Sequence, residues 1–240
     1  MIRIFWLGTA FAGLLVAGIL TMVFLATSQP QFYAVLRSND VSEAEQKQTE
    51  DRLGQLPAEV EAWLFAVRRQ QSLIPEAGPS VEQSNPTYRV TLTQNDLNAL
   101  LMSRKVSGGL SQCRVQLTNT GVLLGCELAS GETPLVVSAC LQPHVRSDGL
   151  IQLDLTRVQI GKLPIPLEAI VRYLPESPDR SDQKMDLNLT ASPPNIVLKR
   201  FKLKSGSRVD VRKIAVDEGI LTFDLEVQSA NSGLASARAF

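Results

Sequence analysis

The N-terminal segment is the feature that most constrains this chain. From Ile4 to Ala26 it carries no charged residue, and leucine, isoleucine, valine, phenylalanine, alanine and glycine make up most of it. A helix rises about 1.5 Å per residue, so this stretch is long enough to cross a hydrocarbon core of about 30 Å with length left for tilt. The segment therefore predicts one membrane-spanning helix.

The flanking charges predict how this helix lies in the membrane. Arg3 is the only charge before the apolar run, and Arg37 is the first one after it. The positive-inside bias then places the N-terminus in the cytoplasm and the bulk of the chain outside it. Residues 26–28 are small enough for a signal peptidase, but the apolar run exceeds the roughly 7 to 15 residues of a signal-peptide core. We expect an uncleaved, single-pass signal anchor in the cell membrane.

The charge balance argues against a nucleic-acid partner. The chain carries 24 basic and 24 acidic side chains, and 44% of its residues are hydrophobic, as in an ordinary folded protein. Its 240 residues suit one main domain with an appendage. We divide it into the anchor at residues 1–30, an amphipathic helical segment with a linker at residues 31–80, and an extracytoplasmic β-rich domain at residues 81–240.

Helix signals fill the segment after the anchor. Ser42 and Glu45 have the spacing of a capping box, and Pro57 after Gly54 is well placed to begin a second helix. An apolar stripe at spacings of three and four predicts packing on the main domain, with the bilayer or a partner helix as the alternative. The stripe consists of Leu53, Leu56, Val60, Trp63, Leu64 and Val67. Residues 74–80 have the composition of a linker.

From residue 88 onwards the hydrophobic period changes to that of strands. Tyr88–Leu92 predicts a strand, Thr93 to Asp96 caps a short helix, and Leu167–Leu174 predicts another. Further strands are predicted at 113–117, 122–128, 135–141, 151–155, 185–189, 196–203, 209–216 and 221–227, with turns at 119–120, 148–149 and 217–219. The predicted fold is α+β: a curved, mostly antiparallel sheet wrapped around short helices, preceded by the transmembrane helix and the amphipathic segment.

The cysteines and the single histidine offer little chemistry. Cys113 and Cys126 lie almost symmetrically about the predicted turn at 119–120, which would place them opposite each other on adjacent strands. A disulfide between them is one possibility, and three buried free cysteines, with Cys140 as the third, are the alternative. No cysteine pair has zinc-site spacing, His144 is the only histidine, and no nucleophile elbow is present. We expect no metal, no cofactor and no enzymatic activity.

A one-faced sheet of about seven strands must cover its apolar side. The two short helices are small for that area. The sheet therefore either curls around them into a closed core or leaves an apolar trough that takes a lipid chain. Periodicity alone fits both arrangements.

The order of elements and several short motifs resemble a known family. A strand leads into the helix TLTQNDLNALLMSR, the hairpin VQLTNTGVLLGCEL follows, and Asp148, Gly149 and the loop Gly161–Pro166 come next. In this order the chain resembles the bacterial YpmS-like and LmeA-like anchored proteins, which are similar to tubular lipid-binding (TULIP-like) domains. The resemblance covers about Tyr88–Leu174. It implies a curved sheet wrapped on a helix, with an apolar groove that holds a phospholipid or an acyl chain at the cell envelope.

Such a groove would be lined by apolar side chains of the helix and strands, with the loop Gly161–Pro166 at its mouth. Ordinary core packing is the alternative for each of these side chains. The candidate lipid contacts are Leu97, Leu101, Val115, Leu117, Leu124, Leu153, Leu155, Leu163, Ile165, Leu187 and Phe223. The candidate contacts to anionic headgroups are Lys199, Arg200, Lys202 and Lys204, and a solvated strand face is the alternative for them.

We therefore expect a membrane-anchored, extracytoplasmic protein that binds a membrane lipid without catalysis. The alternative is a structural or interaction module of a cell-envelope complex, because the acidic helices and the basic strands would each suit a protein partner. We expect Thr27–Val41 to be a flexible tether that keeps the domain within a few tens of ångströms of the bilayer.

Overall fold

The structure is a computed structural model of the chain. It describes residues 16–38, 41–72, 87–103, 110–128, 135–169, 185–188, 190–199, 201–202 and 208–228. Residues 4–15 of the predicted anchor, the linker at 74–80 and residues 170–174 of the second predicted short helix lie outside these ranges. Residues 167–169 of that helix are helical.

Three helices precede the sheets in the described chain: α1 at residues 16–27, α2 at Gln31–Ser38 and α3 at Glu43–Ser72. The predicted capping box begins α3, since the Ser42 amide donates to Glu45 Oε2 at 2.9 Å and the Glu45 amide donates to Ser42 Oγ at 3.3 Å. The prediction that Pro57 begins a second helix is wrong, because α3 continues through it. Pro57 has no amide hydrogen for the Leu53 carbonyl. The neighbouring Gly54 and Pro57 itself are exposed, so water can bond to that carbonyl group.

The described strands form two antiparallel sheets. The four-stranded sheet has the order β1-β11-β10-β9; the seven-stranded sheet has the order β2-β3-β4-β5-β8-β7, with β6 beside β5. The strands are β1 Thr87–Thr93, β2 Leu110–Thr118, β3 Gly121–Leu128, β4 Leu135–Val145, β5 Ile151–Ile160, β6 Leu163–Ile165, β7 Met185–Asn188, β8 Asn195–Leu198, β9 Phe201–Lys202, β10 Arg208–Asp217 and β11 Ile220–Gln228. The predicted α+β class and the three turns are confirmed.

The prediction of a single sheet is wrong in its connectivity. The strand expected at 196–203 divides into β8 and β9, which belong to different sheets. The cause is the register of β8 against β5. Leu198 pairs with Ile151, the first residue of β5, so no further residue of β5 remains for the chain to pair with.

Helix α4, Gln94–Ser103, connects the two sheets through polar contacts. The Thr93 amide donates to Asp96 Oδ2 at 2.8 Å, which is the predicted cap of this helix. Asn98 is buried, and its side chain both donates to the Val115 carbonyl at 3.0 Å and accepts from the Val115 amide at 2.7 Å. The Gln94 amide donates to the carbonyl of Gly219 in the β10–β11 turn at 2.8 Å. One short helix is thus fixed to β2 and to the opposite sheet.

Two apolar clusters form the core of the part of the chain that the structure describes. The central cluster lies between α4 and the two sheets; it contains Val115, Leu117 and Leu221, packed against Leu92, Leu97, Leu101, Val122, Leu124, Ile214, Val216 and Phe223. The α3 cluster contains Val60, Leu64 and Val209, packed against Trp63, Tyr88 and Leu225. The part of the predicted stripe of α3 that contains Val60, Trp63 and Leu64 therefore packs on the main domain, as expected.

An ion pair joins α3 to α4 beside the helix cap. Arg52 Nη2 lies 2.5 Å from Asp96 Oδ1. Burial alone would raise the pKa of the Asp96 carboxyl, but the hydrogen bonds from Arg52 and Thr93 outweigh that effect and lower it. Asp96 therefore stays ionised in the fold and holds both helices.

We expect Asn98→Ala to lower the free energy of unfolding by about 2 kcal/mol, because it leaves the buried amide and carbonyl of Val115 without partners. Urea titration of the full chain in detergent measures this change. Asn95→Ala is the matched control, since Asn95 is an exposed residue of the same helix. Equal stability of the two variants would contradict this role of Asn98.

Candidate functional site

The N-terminal helix exposes its apolar side chains. The helical stretch Val16–Ser38, interrupted at residues 28–30, is long and apolar enough to cross a membrane, with a mean hydropathy of 1.3. The side chains of Val16, Ile19, Leu20, Met22, Val23 and Phe24 are all exposed. A membrane anchor and a signal sequence both have this composition.

The end of α1 is fixed to the turn between β5 and β6. The Lys162 amide donates to the Leu25 carbonyl at 2.7 Å. Gly161 has a φ of +59°, and a Cβ atom there would collide with the carbonyl oxygens of Leu25, Ala26 and Ser28. Glycine is thus required at this position for two reasons, its backbone conformation and the close approach of α1.

Helix α2 packs on the face of the seven-stranded sheet opposite the central cluster, which we call the outer face. Tyr33 is fully buried there, and a Cβ atom on Gly125 of β3 would lie 2.8 Å from its ring. The Tyr33 hydroxyl donates to the Gln112 carbonyl at 2.7 Å. Arg37 Nη1 lies 3.1 Å from Oε1 of the buried Glu127. The expectation of a flexible tether at Thr27–Val41 is therefore wrong, because α2 occupies most of it.

A β-bulge in β2 positions the Gln112 carbonyl that accepts the hydrogen bond from Tyr33. The pairing of β2 with β3 shifts between Ser111 and Arg114, and Gln112 adopts a φ of +47° within the bulge. Cys113 and Cys126 form a disulfide across the same pair of strands. Cys140 is free. The bulge turns the Gln112 carbonyl towards α2, beside the covalent link between the strands.

The structure divides the candidate lipid contacts into two groups. Leu97, Leu101, Val115, Leu117, Leu124 and Phe223 belong to the central cluster, where they pack against one another and their neighbours. Leu153, Leu155, Leu163 and Ile165 lie on β5 and β6 and are partly exposed. Leu187 pairs with Ile196 between β7 and β8. The packing of the first group fits the alternative of core packing, whereas the second group belongs to neither apolar cluster of the described residues.

The second group belongs to a continuous row of apolar residues. Leu155 pairs with Leu141, Val158 with Ala139 and Ile165, and Ile160 with Val137 and Leu163. Paired residues point to the same side of a sheet, and this side also carries the central cluster. We call this row the apolar strip; it consists of Leu153, Leu155, Val158, Ile160, Leu163 and Ile165, all partly exposed.

Among the residues that the structure describes, the candidate headgroup contacts do not form a cluster. Lys199 is exposed and pairs with Asp186, Nζ to Oδ1 3.2 Å. Lys202 lies in β9, while Arg200 and Lys204 lie outside the described residues. The ion pair of Lys199 fits the alternative of a solvated strand face.

Titratable groups also come together between β4 and β5 on the seven-stranded sheet. His144 Nδ1 lies 3.4 Å from Asp154 Oδ2, and Gln152 Nε2 donates to Asp154 Oδ1 at 2.7 Å. The His144 side chain is 46% exposed. Within the described ranges, no group of three or more histidine, cysteine, aspartate or glutamate residues could hold a metal ion.

Residues 57–227 match the model of a family described as "Uncharacterized protein conserved in bacteria (DUF2140)". The chain is a member of the DUF2140 family. Neither a curated protein nor a solved structure matches it. In this DUF2140 protein the matched region contains Gly125 and Gly161, whereas α1 and α2, which pack against these glycines, precede it.

Sequence patterns did not reveal the docking of α2 on this DUF2140 domain. Only eight residues form the helix, and its burial depends on Gly125, which is far away in the chain. The one local signal was the aromatic pair Phe32-Tyr33, which is separated from the buried Pro30 by Gln31 alone.

We expect Tyr33→Ala to lower the free energy of unfolding by about 3 kcal/mol, because it removes a fully buried ring. Tyr33→Phe keeps the ring and loses only the bond to Gln112, so it should cost about 1 kcal/mol. Chemical unfolding of the full chain in detergent measures both. Val35→Ala, at an exposed position of the same helix, is the control, and a loss as large as that of Tyr33→Ala would refute the docking of α2.

Proposed function

We propose that this protein is a membrane-anchored, extracytoplasmic protein that binds an acyl chain of a membrane lipid without catalysing a reaction on it. Helix α1 is the uncleaved anchor, and the two sheets lie on the extracytoplasmic side. The observation that carries the proposal is the position of the apolar strip, which begins at the turn that holds the end of α1.

The apolar strip is incompletely buried. Its six side chains face the same side of the sheet as the central cluster, yet none belongs to either apolar cluster of the described residues. A contiguous row of partly exposed apolar side chains is a surface that a ligand or partner covers. Its extended shape along β5 and β6 suits a hydrocarbon chain.

A short path leads from the end of the anchor helix to the apolar strip. The Leu25 carbonyl at the end of α1 bonds to Lys162, and β6 begins at the next residue, Leu163. An acyl chain that leaves the bilayer along α1 therefore meets Leu163 and Ile165 first. The segment Gly161–Pro166, which includes β6, then forms the mouth of the binding site, the role that the sequence analysis expects for it.

The connection between the anchor helix α1 and the sheet domain is short. Because α2 packs on the outer face and α1 contacts Gly161, the domain is held at the membrane surface. Such a domain takes up lipid locally, by extraction, presentation or sensing, and does not shuttle between membranes. The resemblance to YpmS-like and LmeA-like proteins supports the same kind of function.

The strip predicts which substitutions abolish lipid binding. We expect lipid to co-purify with the full chain and a photoactivatable fatty acid to label it, and the double variant Leu155→Gln/Ile165→Gln to lose both, because two amides in the strip disfavour an acyl chain. Mass spectrometry of solvent extracts measures the lipid. The matched control is Val35→Gln/Ile220→Gln, which changes two exposed apolar residues elsewhere and should keep the lipid.

Absence of lipid and of labelling in the wild-type protein would rule out the acyl-chain site. The same result would favour an interaction module of an envelope complex. One observation supports that second candidate: Phe65 on α3 is 72% exposed, although Val60, Trp63 and Leu64 of the same helix pack on the domain. Loss of co-purifying proteins from the Phe65→Ala variant would then show that Phe65 contacts a protein partner.

The extracytoplasmic location predicts a labelling pattern in intact cells. A single exposed cysteine, Glu218→Cys in the β10–β11 turn of a Cys140→Ser chain, should react with a membrane-impermeant maleimide without permeabilisation. The Cys140→Ser chain without the added cysteine is the control. Reaction only after the cells are permeabilised would place the domain in the cytoplasm and reverse the topology.

A further inference from the structure

A pocket lies on the outer face of the seven-stranded sheet, on the opposite side from the apolar strip. Its volume is about 310 Å³, and it lies between that face and the start of α2. On its floor Ser138 of β4 pairs with Gln159 of β5, and Cys140 pairs with Arg157. Lys162 in the β5–β6 turn also lines it. The pocket is therefore separated from the strip by the thickness of the sheet.

Two cations and no acidic residue line this pocket. Arg157 and Lys162 are both exposed, and neither forms an ion pair with any residue in the described ranges. The hydroxyl group of Ser138 and the side-chain amides of Gln159 and Gln31 add neutral hydrogen-bond donors. This set of groups suits a compact oxyanion, which accepts hydrogen bonds from both charged and neutral donors.

The start of α2 adds a further favourable element. Gln31 and Phe32, the first two residues of this eight-residue helix, line the pocket. The first amide groups of a helix have no acceptor within it, and the helix dipole makes this end positive. A phosphate at this end is therefore stabilised by the backbone as well as by the two side-chain cations.

The position of the pocket indicates where such an anion comes from. The backbone of Lys162, one of its two cations, is bonded to Leu25 at the end of α1. The buried Pro30, which follows α1, also lines the pocket. At the end of a membrane-spanning helix, the anions at high local concentration are the phosphates of lipid headgroups.

We propose that this pocket binds the phosphate of an anionic membrane lipid whose acyl chains remain in the bilayer. The proposal rests on the membrane anchoring described above but not on acyl binding by the strip, which faces the other side of the sheet. Bound in this way, the lipid holds the outer face of the sheet against the headgroups. The strip is then kept in one orientation relative to the membrane.

Cys140 is a built-in reporter of occupancy. It lines the pocket, and it is the free thiol of the chain, since Cys113 and Cys126 are joined. We would measure its alkylation by uncharged N-ethylmaleimide in nanodiscs that contain the full-length protein. One set of nanodiscs contains phosphatidylcholine alone, and the other also contains phosphatidylglycerol. We expect alkylation to be several-fold slower in the second set, because the bound headgroup covers the thiol.

Substitution of the two cations tests the assignment. Each contributes about fivefold to binding of an anionic lipid, so Arg157→Gln/Lys162→Gln should raise the phosphatidylglycerol content needed for protection by more than tenfold. The matched control is Lys47→Gln/Lys213→Gln, which removes the same charge at exposed positions of α3 and β10 and should keep the protection. Retained unfolding midpoints show that the variants fold.

Three results would overturn the proposal. Equal alkylation in both sets of nanodiscs means that no anionic lipid enters the pocket. Equal loss of protection in the control variant means that general surface charge is responsible. Protection by soluble glycerol phosphate in phosphatidylcholine nanodiscs, as strong as that by phosphatidylglycerol, means that a free phosphate is the ligand. Lipid bound to the strip is measured separately, by mass spectrometry of solvent extracts, so failure of one site leaves the other testable.

Discussion

The packing of Tyr33 against Gly125 is the contact on which the arrangement of this molecule depends. The glycine leaves a space on β3 that only a backbone without a side chain provides, and the tyrosine ring fills it. The hydroxyl group of the ring bonds to the carbonyl that the β2 bulge exposes. Through this contact a short helix with little stability of its own fixes the apolar N-terminal helix to the sheet domain.

The seven-stranded sheet is covered differently on its two sides. One side carries the central cluster under α4 and the opposing sheet, and towards β5 and β6 this cover gives way to the apolar strip. On the other side α2 packs over β2 and β3 beside the buried Glu127, while Arg157 of β5 is exposed. An apolar ligand and an ionic ligand would therefore bind on opposite sides of the same strands, without competing for space.

Local patterns predicted the elements well. The caps at Ser42 and Thr93 and the turn at Asp148-Gly149 depend on neighbouring residues only, and the structure confirms each of them. Alternation of apolar residues also predicted most strands, since one side of each faces the core. The α+β class follows from these elements.

Long-range geometry was not predictable in the same way. Leu97 and Leu153 are both apolar and both partly exposed, but Leu97 packs in the central cluster, whereas Leu153 belongs to neither apolar cluster of the described residues. Arg157 was not among the candidate residues because its importance comes from Lys162 and the start of α2, which converge only in three dimensions. Which apolar residues are packed and which cations meet are properties of volume and register, and a single sequence does not encode them locally.

The separation of Tyr33 from its partner in the chain sets an order of events during biosynthesis. Its hydroxyl group bonds to a residue 79 positions later, so the surface that receives α2 is synthesised long after α2 itself. The apolar helix therefore leaves the ribosome with its docking surface still missing. The β2–β3 hairpin must emerge and pair before the contact between Tyr33 and Gln112 forms.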